Sequence, residues 1–268
     1  MIVANLATYP PRAEFLPRVI ASIAPQVDRL NLVLNEYDAV PASLVGIANV
    51  HAILPDEDTK DVGKFYPDIS GAEHVLLIDD DLVYPSDYVA RTLERFRSLA
   101  VPRALGGYHC SVYTRPALSL SPSGVRRFLR FHLRPSRIAG YRRILHFGLD
   151  IPEPLLVDQV GSGVAILRAE DMPPWDYMRT SQKFVDVRLA RWCFEQGIVP
   201  VLLPHDPDWL LPSAAVGVSF EETIIGDFTS HHPPHVAREI WRYAFKRPQV
   251  GRPVPVAGKM AGETAQAV

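Results

Sequence analysis

The stretch that most constrains this chain is HVLLIDDDLVYPSDYV, His74–Val89. Its first five residues, His74–Ile78, read as one buried strand, a short apolar run covered on both faces. Three aspartates follow at once: Asp79, Asp80 and Asp81. Like charges at the end of a hydrophobic strand repel one another, and burial penalises each of them. A positive partner is therefore expected at this strand end.

Strands and helices alternate around it. Residues 2–8 (IVANLAT) read as a first strand, broken by Tyr9-Pro10-Pro11. Phe15, Leu16, Val19, Ile20 and Ile23 then recur at a helical period, and Pro17 is tolerated only near the helix start. Residues 29–38 (RLNLVLNEYD) give the second strand, Val50–Leu54 the third, and the run before the aspartates the fourth. Residues 86–100 read as a helix with Ser86 as N-cap and Asp87 in its first turn. Residues 104–113 (ALGGYHCSVY) read as a single fifth strand. Strand character returns in residues 155–172 and again in IVPVLLP, 198–204. Between them, Val185, Leu189 and Cys193 mark a helix that Gly197 ends. A last helix is expected over 234–246. The alternation predicts an α/β layered sheet. Residues 1–246 are expected to form one domain, and 247–268, with little core material, a loosely ordered tail.

With 47% hydrophobic residues among 268, the chain can bury one full core. Its two cysteines, Cys110 and Cys193, allow no disulfide framework or zinc spacing and fit a reducing compartment. The amino terminus lacks a basic n-region and is not read as a signal peptide. No apolar stretch approaches the ~18 residues of a spanning helix. Net charge is −2, but from Arg95 to Leu149 there are eleven arginines and no acid, so the remainder carries −2 − 11 = −13. Residues 114–150 break the α/β rhythm and read as an arginine-rich, partly helical insertion. On a helix, Arg126, Arg130 and Arg134 form one stripe, with Phe128, Phe131 and Ile138 off it. Three uses compete: contact with anionic lipid, a grip on an anionic glycan or a donor diphosphate, or packing over the cleft or a second subunit. The acidic remainder offers no recognition motif for nucleic acid, which is not expected as a partner.

Hard divalent cations prefer oxygen ligands, and residues i and i+2 approach one ion where a strand opens into a turn. A metal there would relieve the repulsion among the aspartates. The plainer reading is a polar strand end that caps the next helix.

The order of pieces adds to this. An apolar strand running into DxD, then YPSDYV and a helix, resembles the family 2 glycosyltransferases of the GT-A fold. So do the first strand and helix, the second strand LNLVLNEYD, and the polar glycine-containing loop DEDTKDVGKFYPDISGAE before the DxD strand. VGSGVAILRAEDM resembles the acceptor-side strand of that family, and FVDVRLARWCFEQGI its carboxylate-bearing helix. The resemblance covers about residues 1–210. It implies a GT-A, Rossmann-like nucleotide-diphospho-sugar transferase: a mixed sheet flanked by helices, here with the arginine-rich insertion.

Carried over position by position, the resemblance implies a nucleoside held by Ala7, Thr8, Tyr9 and Arg12. Glu36, with Asp38 next, is the acid after the second strand. Asp56 or Asp58 meets the base, and Lys64 or Lys60 reaches the phosphates. Asp79 sits near the ribose, Asp81 is the direct metal ligand with Asp79 beside it, and Asp80 assists. Asp186 is the general base. A histidine often completes the metal site; the candidates are His205 and the cluster His231, His232 and His235. The expected cofactor is Mn²⁺ or Mg²⁺, the donor a nucleotide sugar, UDP-linked. The acceptor is a glycan or a lipid-linked species in surface polysaccharide synthesis. The expected location is cytoplasmic, with peripheral contact at the inner membrane face through the insertion. Two rivals stand beside this reading. A sugar nucleotidyltransferase would carry a glycine-rich loop after the first strand, where this chain has ATYPPRAEFLP. A non-catalytic module of the same fold would bind glycan or membrane through its arginines and would not need Asp186.

Overall fold

The computed structural model describes residues 1–207, 209–212 and 233–257. Its centre is an eight-stranded mixed sheet. The strands are β1 (Ile2–Thr8), β2 (Arg29–Leu34), β3 (Val50–Ile53), β4 (His74–Ile78), β6 (Ala104–Gly107), β9 (Leu155–Leu156), β11 (Val164–Arg168) and β12 (Val199–Leu202), in the spatial order β3-β2-β1-β4-β11-β6-β12-β9. The first four run parallel, whereas β11 is antiparallel to both β4 and β6. Two small sheets sit at its margin: β7 (Cys110–Tyr113) between β8 (Arg142–Leu145) and β10 (Gln159–Val160), and β5 (Leu82–Val83) with β13 (Leu211–Pro212). The expected α/β layering is therefore present.

Alternation along the strands feeds two cores, one on each face. Ala4, Leu6, Leu30, Leu32, Leu76 and Ile78 pack against α1 (Leu16–Ile23) and α2 (Tyr88–Arg97). Val75, Leu77, Leu105, Ala165 and Leu167 face the other way, against α5 (Val185–Glu195). Every residue of β4 is buried, which explains its unbroken apolar sequence. A third cluster joins α5 to α6 (Pro234–Tyr243) and to Tyr113 and Ile138. α3 (Pro122–Leu133) and the short α4 (Trp175–Met178) complete the helices named here.

Several sequence expectations change. The fifth strand is two, β6 and β7, in different sheets. The chain leaves the large sheet after Gly106-Gly107, where a side chain on Gly107 would strike Val160. Tyr108 is buried at the crossing and bonds Thr92. Helix α2 is capped at Asp87, not Ser86, and the Asp87 side chain makes no bond to a helix backbone amide. Its carboxylate pairs with the Arg91 side chain of the same helix at 2.8 Å and accepts from Trp209 Nε1. In the insertion, α3 begins with Ser121 Oγ accepting from Gly124 N, and β8 at the far end pairs with β7. Residues 247–257, expected to be loose, lie along the domain. Ala100 N donates to Pro255 O and Ala257 N to Ser98 O, and Val254 enters the core. Main-chain hydrogen bonds hold this proline-rich segment where side-chain volume offers little. Residues 258–268 lie outside the described residues.

One buried acid of this scaffold yields a stability prediction. Asp158 is 2% exposed, accepts from Tyr113 N at 2.7 Å through Oδ2, and has no hydrogen bond to Oδ1 among the described residues. Burial pushes its pKa up to about 6, against the pull of the Tyr113 amide and Arg247. A carboxyl with a raised folded pKa contributes most below its unfolded value and loses that contribution as pH rises toward 6. Asp158→Asn keeps an acceptor for Tyr113 N and does not ionise. It is expected to be more stable than the parent by about 1–3 kcal/mol at pH 7.5, with the gain shrinking toward zero at pH 4. Urea unfolding at the two pH values checks this.

Candidate functional site

The chain winds outward from β1 through β2 to β3, then returns to place β4 on the other side of β1. In open α/β sheets, ligands settle at the carboxyl ends of strands where the winding direction switches. Here that point lies between β1 and β4, and the three aspartates stand on it.

Strand register fixes their neighbours. Leu6 pairs with Ile78 across β1 and β4, so two residues further on Thr8 lies level with Asp80. Thr8 Oγ1 donates to Asp80 Oδ2 at 2.7 Å. On the other flank Val164 pairs with Ile78, so Gly163 lies level with Asp79, and Asp79 N donates to Gly163 O at 3.0 Å. The Tyr84 hydroxyl ties the same turn, accepting from Asp79 N at 2.9 Å and lying within 3.2 Å of Gly163 O.

The positive partners come from the protein itself. Tyr9-Pro10-Pro11 starts a tight 3-10 turn that carries Arg12 back over the strand end. Arg12 Nη1 lies 3.1 Å from Asp81 Oδ2 and 3.4 Å from Asp80 Oδ1. Burial opposes the guanidinium charge, but Asp80 and Asp81 more than offset it, so the Arg12 pKa is raised. Lys64 Nζ pairs with Asp79 Oδ1 and reaches Ser162 O at 3.2 Å. Burial lowers the Lys64 pKa and Asp79 raises it; the net direction is up.

The three aspartates are thus unlike. Asp80 is enclosed, with its pKa pushed up to about 6 chiefly by burial, against Arg12 and Thr8. Asp79 and Asp81 keep side chains 39% and 33% exposed, open to solvent at the strand end. The Asp81 pKa is raised, first by burial and then by the charge of Asp79. That residual repulsion makes the pair suited to a divalent cation, since both supply hard oxygens. Asp79 and Asp81 would hold the ion. Among the described residues no three histidine, cysteine or acidic side chains form a ready-made metal cage, so further oxygens would come from a bound ligand or water.

Across the strand end, the first turn of α5 presents Asp186. Its Oδ1 accepts from both Ser162 N (2.8 Å) and Ser162 Oγ (2.7 Å), which leaves Oδ2 without a hydrogen bond among the described residues. Asp61 stands close enough to feel its charge. Burial pushes the Asp61 pKa up to about 6, and Asp186 adds to the rise. Asp61 also accepts from Lys183 N at 2.8 Å. His109, whose ring packs edge-on to His146 with centroids 5.2 Å apart, senses Asp186 as well; burial lowers its pKa.

Of the residues expected from sequence, Thr8, Arg12, Lys64, Asp79, Asp80 and Asp81 are linked by direct contacts, and Asp186 joins them through Ser162. Ala7 and Tyr9 flank them at the end of β1, half-buried. Asp80 is not a mere assistant but the buried anchor of Thr8 and Arg12. Lys64 is buried on Asp79 and not extended toward solvent. Glu36 is exposed, at a turn with φ 60°. Asp56 is exposed and makes no hydrogen bond or ion pair among the described residues; its neighbour Asp58 is the engaged acid, accepting from Asn35 Nδ2 at 2.9 Å and pairing with Lys60. His205 does not join the aspartates. It is 3% exposed, with Nδ1 2.8 Å from Leu203 O and its ring edge-on to Tyr108. The apolar strand before it carries it into the core. His231 and His232 lie outside the described residues, and His235 sits on α6 against Phe184.

Ser162, Gly163, Tyr84, Asp61 and His109 were not singled out by sequence. The small-residue run GSG was the available signal. A Cβ on Gly163 would collide with the Asp79 carboxylate. Gly163→Ala is therefore expected to expel Asp79 from Lys64, costing about 1–3 kcal/mol as overpacking. Chemical denaturation would register that cost.

No family model matches the chain, and no curated protein matches it. The crystal structure of a mycobacterial protein is similar at 18% identity and a TM-score of 0.37, over 76% of this chain and 67% of that one.

Proposed function

We propose that this cleft is the donor site of a metal-dependent, inverting glycosyltransferase of the GT-A fold. Its donor is a nucleotide sugar, UDP-linked, and its acceptor a glycan or a lipid-linked species of surface polysaccharide synthesis. The observation that carries the reading is the convergence of Asp79, Asp81, Arg12 and Lys64 at the β1/β4 switch point, with Asp186 fixed beside them by Ser162.

Each group has work in that reaction. Asp186 Oδ2 accepts the proton of the acceptor hydroxyl while Ser162 holds Oδ1 in place. The acceptor oxygen forms its bond to the anomeric carbon from the side opposite the departing diphosphate. The bond from that carbon to the diphosphate oxygen breaks, and its electron pair stays on the diphosphate. Arg12 sits where it can leave Asp80 and Asp81 for that growing negative charge. A divalent cation on Asp79 and Asp81 would supply Lewis-acid charge to the same oxygens. Ala7, Thr8 and Tyr9 line the approach for the nucleoside. The region after β1 lacks the glycine-rich loop of a nucleotidyltransferase, and no observation favours that rival.

UDP release from UDP-hexose in the presence of Mn²⁺ tests the reading. Asp81→Ala is expected to lower it by about 100-fold or more, as removal of a group that organises charge in the transition state does. Undiminished Mn²⁺-dependent release by the variant would contradict it.

A further inference from the structure

Among the described residues, the two most exposed large aliphatic side chains are Leu120 (95%) and Leu133 (75%). Both belong to the arginine-rich insertion. Helix α3 shows why they are there. Its inner side is anchored by Phe131, 5% exposed, whose ring packs on Tyr141, Trp241 and Phe245 with centroids 4.9–5.5 Å apart. That anchor fixes the rotation of the helix. Val125, Leu129 and Leu133, spaced i, i+4, i+8, then form one outward stripe on the opposite side. A merely solvated helix places polar residues outward; this one places aliphatics there. Arg126 and Arg130 run alongside the stripe, one residue round, and both are exposed.

We propose that the outward face of α3, with the Leu118–Leu120 lead-in, is a docking surface for an anionic phospholipid bilayer. Charge identifies the occupant. Of the arginines between Arg95 and Leu149, Arg97 and Arg103 are already paired, with Glu73 and Asp171, but the eight of the insertion, from Arg115 to Arg143, have no acid among them in sequence and make no ion pair among the described residues. A lipid surface satisfies both features at once: aliphatic side chains enter the headgroup boundary and guanidinium groups lie against phosphates. The helix would lie in the interface, since no helix of the described residues is long and apolar enough to cross a membrane. None of these residues belongs to the proposed donor site, and lipid binding is measured without turnover, so either reading can fail alone.

Vesicle flotation of the full chain tests the proposal, comparing phosphatidylcholine vesicles with vesicles containing phosphatidylglycerol. Partitioning is expected on the anionic vesicles, weaker on the neutral ones by about tenfold or more, and weaker in high salt. Leu129→Asp with Leu133→Asp is expected to reduce partitioning by about tenfold or more. Both positions point to solvent, so the melting temperature of the variant stays near the parent's. Arg126→Glu with Arg130→Glu is expected to do the same and keeps the aliphatic stripe. Absence of partitioning onto anionic vesicles overturns the proposal. So does binding that the leucine variant leaves intact, which would reduce the surface to a charge patch. A solution dimer that the leucine variant dissociates, without vesicle binding, would assign the face to a second copy of the chain and overturn it too.

Discussion

Replacing Asp186 with asparagine is expected to lower kcat by about 10²–10⁴-fold while donor affinity stays within about twofold. Asparagine keeps an oxygen to accept from Ser162 N and Oγ, so the side chain holds its place at the start of α5. What it loses is the ability to take a proton. The proposed nucleotide contacts are on β1 and the aspartate turn, which the substitution does not change. Steady-state turnover beside calorimetric titration with nucleotide separates the two effects. A non-catalytic binding module would show no change in its function. Equal losses in kcat and donor affinity would place Asp186 in the donor pocket and remove it as the base.

Asp79→Ala is expected to destabilise the fold by about 3 kcal/mol, at the lower end of the range for breaking a buried ion pair. The lower end applies because the Asp79 side chain is 39% exposed and already partly screened by water. Lys64 has no such relief. Its side chain is 5% exposed, and without Asp79 its remaining named partner is the Ser162 carbonyl. The pair is therefore asymmetric. Lys64→Met leaves a carboxylate that solvent can reach and is expected to cost about 1 kcal/mol or less, as an exposed partner's loss does. The double variant Asp79→Ala with Lys64→Met is expected to recover most of the loss, because no charge is then stranded. Urea unfolding of the two single variants and the double gives the coupling. Equal costs for both single changes, or no recovery in the double, would show that Lys64 reaches water.

Much of this was legible at the level of strands. β4 is legible because both its faces are covered, and the acids after it because three like charges directly end a buried strand. Tyr9-Pro10-Pro11 marks where the first strand breaks, and the family resemblance then points to Thr8 and Arg12 on either side of that break. The identity of the positive partner was not legible. Lys64 lies in a polar loop, DEDTKDVGKF, where a lysine reads as solvated, and its burial depends on Asn5, which holds the Lys64 carbonyl at 2.8 Å from the neighbouring strand. Asp80 looked like the spare acid, and only the β1/β4 register turns it inward onto Thr8. Ser162 was hidden for a similar reason: its link to Asp186 spans 24 residues and two elements. His205 looked available because it follows a strand, yet the same strand carries it into the core. The divided fifth strand and the ordered 247–257 segment depend on main-chain contacts that side-chain patterns do not encode. The three adjacent aspartates thus have nearer positive partners than a metal alone. Arg12 and Lys64 meet them first, and a cation would act on the repulsion left between Asp79 and Asp81.

The most direct measurement is thermal unfolding of the full chain with a panel of nucleoside diphosphates, each with and without Mn²⁺. UDP with Mn²⁺ is expected to stabilise the protein, by about 2.7 kcal/mol when ligand is about 100-fold above its Kd, and GDP far less. Asp81→Ala should lose the Mn²⁺-dependent part. If no nucleotide shifts the unfolding temperature in a metal-dependent way, the cleft is not a nucleotide-sugar site and the central claim is wrong.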